Sequence, residues 1–279
     1  MEHTPEQSMI TPNASHSAEA TRPNGCKICT LYSGSGGNCT FISTGRSKIL
    51  IDAGKSARTL CMSLRSIGSD ISEIDAIFIT HEHTDHVSAL ETLSKKHHIP
   101  IHAPKACADY ISRPGTATSS CVVAHSPLFT VELDGMAVSS FLTSHDSRCP
   151  VGYKIVTESG DSCGVATDTG IVTCSTADAL SGCRSVVLEC NHDKRMLATG
   201  PYPFHLKERI ASKIGHLSNE DCATFASYLA ERGTGSFILA HLSAENNTKE
   251  KALESVRRAI PNTNISISVS DPDTPVFME

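Results

Sequence analysis

Residues 75–86 read Asp-Ala-Ile-Phe-Ile-Thr-His-Glu-His-Thr-Asp-His, an apolar run followed at once by a cluster of residues that can bind metal ions. The apolar half, with its β-branched and aromatic side chains, predicts a buried central β-strand over residues 75–80. A strand that ends in a polar turn presents side chains at the edge of its sheet, where functional sites are commonly built. Imidazole and carboxylate groups are the ligands that zinc and its first-row neighbours prefer. The stretch therefore predicts a metal site, and a histidine-rich surface loop without a function is the competing interpretation.

More ligands are needed, because one short turn cannot complete the coordination of two ions. Three residues of ligand type each follow a later predicted β-strand, namely His145, Asp168 and His241. The predicted ligands then divide into two sets, one for each ion. The first set is His81, His83 and His145, and the second set is Asp85, His86 and His241. We expect Asp168 to bridge the two ions through its two carboxylate oxygens.

Other residues are candidates for orienting a ligand or contacting a substrate. Asp52 ends a predicted strand and could hydrogen-bond a ligand histidine, or it could simply stabilise the turn before Gly54. The glycine-rich loop with Ser35 and Asn38 could approach a substrate phosphate, although tight hairpins also need glycine. We also expect His192 to line the cleft.

The segment before a predicted helix at 218–231 is a second candidate for chemistry. Ser218 is a predicted N-cap, and Asp221 completes a pair that resembles a capping box. Exposed amide groups at that helix start would favour a bound phosphate. His216, just ahead of the cap, could then stabilise the phosphoryl group or protonate the leaving oxygen. The alternative is a histidine that merely packs ahead of the cap.

Basic residues precede His216 in the chain and could follow a nucleic-acid backbone, or could belong to solvated helix faces. They are Lys194, Arg195, Lys207, Arg209 and Lys213. Tyr202 and Phe204 are the neighbouring aromatic pair with the potential to stack on bases.

Composition limits the class of protein. The 279 residues carry a net charge of −6, which argues against binding nucleic acid over the whole surface but leaves room for a local basic groove. No apolar run is long enough to span a membrane. Residues 1–24 are polar and carry no secretory signal, so we predict a disordered tail followed by one domain over 25–279. Twelve cysteines in such a chain are expected to be reduced thiols of a cytoplasmic protein.

The order of predicted elements indicates the fold class. From residue 26 onward, short β-runs alternate with helical stretches, and hairpins dominate the first part of each half. Such a chain belongs to the α+β class, with two packed mixed sheets and helices on both outer faces.

The motif His-x-His-x-Asp-His at 81–86 resembles that of the metallo-β-lactamase superfamily, whose fold is an αββα sandwich. Asp168 as the bridging residue resembles the phosphodiesterase and thioesterase branches, since true dinuclear β-lactamases usually have cysteine there. Further segments make the chain similar to the YycJ/WalJ group of nucleases. These segments include 33–38, 51–54, 143–146, 150–153, 166–170, 188–193, 215–220 and 240–247.

This resemblance implies a dinuclear metal-dependent hydrolase with two divalent ions, zinc or manganese. A hydroxide shared by the ions would attack phosphorus, with Asp85 orienting it and His216 acting on the leaving side. The implied substrate is DNA, degraded by an exonuclease in the 5′-to-3′ direction. A ribonuclease is one alternative, although large RNA-cleaving relatives insert a domain for which the stretch between Asp168 and His241 has no room. The others are a hydrolase of small thioesters or phosphodiesters, and a metal-stabilised protein that binds nucleic-acid ends without cutting, for which a degraded ligand set would be expected.

Overall fold

The computed structural model describes residues 25–261 and 263–279. The predicted disordered tail, residues 1–24, lies outside the described residues. The strands, numbered in chain order, are β1 Lys27–Tyr32, β2 Cys39–Ser43, β3 Lys48–Ile51, β4 Ala76–Phe78, β5 Ile101–Pro104, β6 Val122–His125, β7 Thr130–Leu133, β8 Met136–Leu142, β9 Val151–Thr157, β10 Ser162–Ala166, β11 Ser185–Glu189, β12 Ser236–Ala240, β13 Ser266–Val269 and β14 Val276–Phe277. The helices are α1 Ala57–Ser66, α2 Thr84–Val87, α3 Leu90–His97, α4 Lys105–Ile111, α5 Cys174–Leu180, α6 Lys194–Thr199, α7 Phe204–Ile210, α8 Asn219–Ala230 and α9 Lys249–Ala259, with 3₁₀ turns at Ile71–Glu73 and Ala117–Ser120.

The strands form two seven-stranded mixed sheets of similar design. The first has the order β14-β1-β2-β3-β4-β5-β6 and the second the order β13-β12-β11-β10-β9-β8-β7. In the first sheet β1, β2 and β3 are antiparallel, and β3 to β6 are parallel. In the second sheet β7 to β10 are antiparallel, and β10 to β13 are parallel. The two halves of the chain therefore repeat one plan.

Apolar side chains fill three layers of core. Between the sheets, Ile49 and Phe78 of the first sheet belong to one buried cluster with Tyr153, Val187 and Ile238 of the second. A second cluster joins the outer face of the first sheet to α1, α3 and α4, and a third joins the outer face of the second sheet to α5, α8 and α9. This is the predicted αββα sandwich, and the prediction of its fold class is confirmed.

Several elements differ from the sequence-based expectation. The strand predicted over 75–80 is shorter, since β4 covers only Ala76–Phe78. The sequence pattern gave no prediction for α4, β6, β7, α6 or β14. The edge strands β6 and β7 are partly exposed along their length, so they lack the apolar periodicity that marks a buried strand.

The cysteines and the helices agree with two expectations from composition. None of the twelve cysteines, which all lie between residues 26 and 222, forms a disulfide, and eight of them are buried. Among residues 25–261 and 263–279, no helix is long and apolar enough to cross a membrane.

Three loops are joined through their backbones at the edge where the candidate ligands lie. The amide of Asn38 donates to the carbonyl of Asp85 at 2.8 Å, and the amide of Ala53 donates to the carbonyl of His86 at 2.8 Å. The amide of Gly54 donates to the carbonyl of Asn38 at 2.9 Å. A Cβ atom on Gly54 would overlap the carbonyl oxygen of Asp85 and lie 2.5 Å from the amide nitrogen of Asn38. Glycine at this position lets the loops approach.

We predict that Gly54→Ala lowers the free energy of unfolding by about 3 kcal/mol, because the added methyl group meets backbone that cannot rotate away. Gly36→Ala is the matched control in the neighbouring loop, since a Cβ there has no heavy atom within 4 Å. It should change stability by less than about 0.5 kcal/mol. Urea denaturation of both variants measures the difference, and equal stabilities would contradict this account of the loop junction.

Candidate metal centre

Strands from both sheets end at the same edge of the sandwich, and the seven predicted ligands follow these ends. Within each predicted set, the ligand atoms lie within 4.8 Å of one another. The first of these sets is His81, His83 and His145, and the second is Asp85, His86 and His241. The structure therefore brings together the residues that the strand-end argument selected, in the same two groups.

Asp168 lies between the two sets. Its Oδ2 atom is 3.3 Å from Nε2 of His86, and its Oδ1 atom is 3.7 Å from Nε2 of His145. The same Oδ1 atom is 3.5 Å from Nδ1 of His241. The carboxylate therefore lies close to histidines of both sets, as a bridging residue requires.

The chemistry of the donor set fits divalent metal ions. Oδ2 of Asp168 and Nε2 of His241 are buried and have no hydrogen-bond partner among the described residues. Buried polar atoms without partners are costly, and a cation between them would satisfy both. Burial, followed by the neighbouring histidines His86, His145 and His83, holds the pKa of His81 well below its usual range. A neutral imidazole is the form that binds a metal.

The buried carboxylates at this edge favour positive charge nearby. Burial acts to raise the pKa of Asp85, but His241 and His86, whose Nε2 atoms lie 3.7 and 3.4 Å from its Oδ2 atom, hold it below its usual range overall. Burial likewise acts to lower the pKa of His241, but the negative charge of Asp168, the nearby carboxylate of Asp85 and the hydrogen bond to Glu189 raise it to about 10. Divalent cations would supply the same positive charge, and they would leave the histidines neutral.

In three of the candidate histidines, Nδ1 is tied to another protein group, which leaves Nε2 for a metal ion. Nδ1 of His86 donates to Oδ2 of Asp52 at 2.7 Å. Nδ1 of His145 donates to the carbonyl of Gly215 at 3.0 Å, and Nδ1 of His241 donates to Oε1 of Glu189 at 2.8 Å. Such partners fix the tautomer and the ring orientation of a metal ligand. Asp52 therefore hydrogen-bonds a candidate ligand histidine, which is the first of the two roles considered for it.

Glu189, at the end of β11, was missed by the sequence reasoning. It is completely buried, and its Oε1 atom accepts hydrogen bonds from Nδ1 of His216 and Nδ1 of His241, both at 2.8 Å. Its Oε2 atom accepts from the amides of Thr169 at 2.8 Å and Leu217 at 3.2 Å. The rule that selected Asp168 and His241, a ligand-type residue at the end of an apolar strand, also applies to Glu189 and could have found it.

A cavity of about 240 Å³ opens over the cluster. Its wall includes Ser35, Asn191, Tyr202, Leu206, Arg209 and His216, together with five of the predicted ligands. Because Nδ1 of His216 is held by Glu189, its Nε2 atom is free for a substrate.

Two further candidates lie away from the cavity wall. Asn38 is buried, and its Nδ2 atom donates to Oδ2 of Asp85 at 3.3 Å. His192 is also buried, and its neighbour Asn191 lines the cavity in its place.

The prediction of exposed amides at the start of α8 is wrong. Ser218 is the N-cap and its Oγ atom accepts from the amide of Asp221, as predicted. However, Ser218 and Asn219 are buried, and the amide of Asn219 already donates to the carbonyl of His192 at 2.8 Å. The first amide of the helix is therefore closed to a phosphate.

Two of the five residues of the predicted basic cluster are paired with carboxylates. Nε of Arg209 lies 2.5 Å from Oδ2 of Asp146, and Nζ of Lys194 lies 3.1 Å from Oδ2 of Asp221. Nζ of Lys207 donates to a backbone carbonyl. Arg209 nevertheless lines the cavity from α7, and Tyr202 lies beside it on the same wall.

Comparisons with known proteins agree with this geometry. The sequence profile of the beta-lactamase superfamily domain matches residues 47–242. The exodeoxyribonuclease WalJ of Streptococcus pneumoniae is 32% identical over 259 residues, which cover 90% of this chain and 96% of that protein. The exodeoxyribonuclease YycJ of Bacillus anthracis is 32% identical over 240 residues, covering 85% and 89%.

Solved structures with the same fold are more distant in sequence. The metallo-β-lactamase fold protein YhfI of Bacillus subtilis has a TM-score of 0.69 at 16% identity, covering 91% of this chain and 99% of its own. The short form of human tRNase Z has a TM-score of 0.62 at 18% identity, covering 90% and 98%. The profile match and the two curated relatives together establish that the chain is a hydrolase of the metallo-β-lactamase superfamily and belongs, within it, to the WalJ/YycJ group.

Proposed function

We propose that this protein is a metal-dependent DNA exonuclease that degrades its substrate in the 5′-to-3′ direction. The observation that carries the proposal is the bridging position of Asp168 between two histidine-containing sets beneath an open cavity. The substrate is taken from the relatives named exodeoxyribonucleases, which match this chain over nearly its whole length.

Two divalent ions would be held by the seven residues of the cluster. His81, His83 and His145 would hold one ion, and Asp85, His86 and His241 the other, with Asp168 shared. When bound, the ions lower the pKa of a coordinated water to near neutrality and offset negative charge on the phosphate. A set of nitrogen and oxygen ligands without a thiolate suits either zinc or manganese.

Side chains around the cavity would carry the remaining steps. Asp85, held by the amide of Asn38, faces the cavity and would orient the attacking water. His216, held through Nδ1 by Glu189, would in its doubly protonated form present Nε2–H to the leaving oxygen, donate that proton and become a neutral imidazole. The fixed orientation of His216 favours this role over one in packing alone.

A cytoplasmic location belongs to the same proposal. The cysteines without disulfides support it, since reduced thiols are typical of that compartment.

The substrate assignment is tested with single-stranded DNA, duplex DNA and RNA, each labelled at the 5′ or the 3′ end. With Mn²⁺ or Zn²⁺, we expect DNA to release labelled mononucleotides early from the 5′ end and late from the 3′ end. Chelation of the metal should stop the reaction, and added metal should restore it. Degradation of RNA with intact DNA would make the protein a ribonuclease, and cleavage of thioesters alone would make it a small-substrate hydrolase.

Asp168→Ala and His83→Ala should each reduce DNA cleavage by more than about 100-fold, because loss of a direct ligand exceeds the effect of losing its supporting partner. Bound metal, measured by elemental analysis of the purified protein, should fall as well. His98→Ala removes a histidine of the same region that lies outside the cluster, and it should keep full metal content. Normal metal content in Asp168→Ala would contradict the bridging role.

Two further variants test whether His216 acts in catalysis and whether Glu189 supports the metal site. His216→Ala should lower kcat by about 10²-fold or more while metal content is retained, because a proton donor is lost. Glu189→Gln should weaken metal binding or activity by about 10- to 100-fold. A glutamine cannot replace two oxygens that each accept two hydrogen bonds, because one of its two polar groups is a donor. Wild-type kcat in His216→Ala would contradict the proposed donor role.

A further inference from the structure

Two arginines and a tyrosine, far apart in the sequence, form a patch beside the loop that carries His145. Tyr110 lies on α4, Arg113 follows α4, and Arg148 lies in the loop between β8 and β9. The Cζ atoms of Arg113 and Arg148 lie 4.9 and 5.1 Å from the centre of the Tyr110 ring. These three residues are called the Tyr110 patch below, and none of them lines the cavity over the metal cluster.

The Tyr110 patch is exposed and carries excess positive charge. Tyr110 is 40% exposed, the side chain of Arg148 is 57% exposed, and Arg113 is exposed. Arg148 has one acidic neighbour, Glu82, whose Oε1 atom is 3.9 Å from Nε. Arg113 forms no ion pair with any residue in the described part of the chain. Two guanidinium groups that share one ring with a single carboxylate nearby would be stabilised by an anion.

The patch is attached directly to the metal site. Arg148 follows His145 by three positions, and its backbone amide donates to Oε1 of Glu82 at 2.9 Å. Glu82 itself stands between His81 and His83 in the chain. Arg148 is therefore connected to the metal ligands in two ways, through its own loop to His145 and through Glu82 to His81 and His83.

We propose that the Tyr110 patch binds the backbone of the single DNA strand that extends beyond the scissile phosphate. An arginine stacked on an aromatic ring keeps the edge of its guanidinium group free for a phosphate, which it can contact through two hydrogen bonds. The combination of cations with an aromatic face is typical of surfaces that follow single strands. Within the predicted basic cluster at 194–213, Arg209 and Lys194 lie 2.5 and 3.1 Å from carboxylate oxygens, closer than the 3.9 Å between Arg148 and Glu82. This inference rests on the proposed nuclease function and adds to it a site for the distal part of the substrate.

The test compares a single strand of about 20 nucleotides with a dinucleoside monophosphate, whose one phosphate cannot occupy the metal cluster and the patch at the same time. For each protein, kcat/KM is measured on both substrates at several salt concentrations. In Arg113→Gln/Arg148→Gln, we expect the preference for the long strand, as a ratio of the two kcat/KM values, to fall by about tenfold. The slope of log kcat/KM against log salt on the long strand should become shallower by about 1.4, since each lost phosphate contact on a single strand removes about 0.7.

Three variants separate charge from structural damage. Arg113→Gln alone, outside the metal loop, should give about half of the slope change. Arg113→Lys/Arg148→Lys keeps both charges and should keep most of the slope. Arg232→Gln is the matched control, because Arg232 is also stacked on a tyrosine, at 3.6 Å from the ring of Tyr228, but at the far end of α8. It should leave both the ratio and the slope unchanged.

An unchanged preference in the double glutamine variant would overturn the inference. An equal loss on both substrates would overturn it too, because it would indicate damage to the metal loop. Failure of the wild-type protein to cleave any DNA strand is a distinct result, which would overturn the proposed function itself.

Discussion

The edge of the sandwich that carries the candidate ligands depends on one constraint. Its buried carboxylates need positive charge close to them. Asp52, Asp168 and Glu189 are almost completely buried, and each faces at least one histidine ring. Ionised groups are removed from water only when partners compensate for the lost hydration. Hydrogen bonds from histidines and amides provide part of that compensation. The converging Nε2 atoms and the unpartnered oxygen of Asp168 mark the place where cations would provide the rest.

The backbone at the strand ends is adapted to this purpose. Asp52, Asp168 and His241 all adopt left-handed conformations, with φ values of 64°, 55° and 55°. Residues other than glycine enter this region at a cost of about 1 to 3 kcal/mol when the surroundings impose it. Each of the three residues directly follows or closely follows a buried parallel strand, and the abrupt change of direction turns its side chain toward the cluster. Three of the four non-glycine residues with this conformation in the described part of the chain are thus candidate ligands or the partner of one.

The sequence contained enough information to predict the sandwich and the grouping of the candidate ligands, because both follow from local patterns. Apolar strands that end in histidine or aspartate can be recognised in the sequence, and parallel strands bring their ends to the same edge of a sheet. Glu189 was missed although the same pattern applies to it. The amides of α8 were predicted wrongly because their burial depends on His192, which reaches them only through tertiary packing. The Tyr110 patch could not be predicted, since α4 was not recognised and nothing in the sequence indicates that Arg148 lies above it.

Glu189 also constrains how this protein can change. One oxygen atom holds both a candidate ligand, His241, and a candidate proton donor, His216. The orientation of one ring is therefore tied to that of the other. A relative that no longer used acid catalysis could replace His216 at little structural cost. Replacing Glu189 would also release His241 and weaken metal binding. In related proteins with altered chemistry, Glu189 should therefore be retained more often than His216.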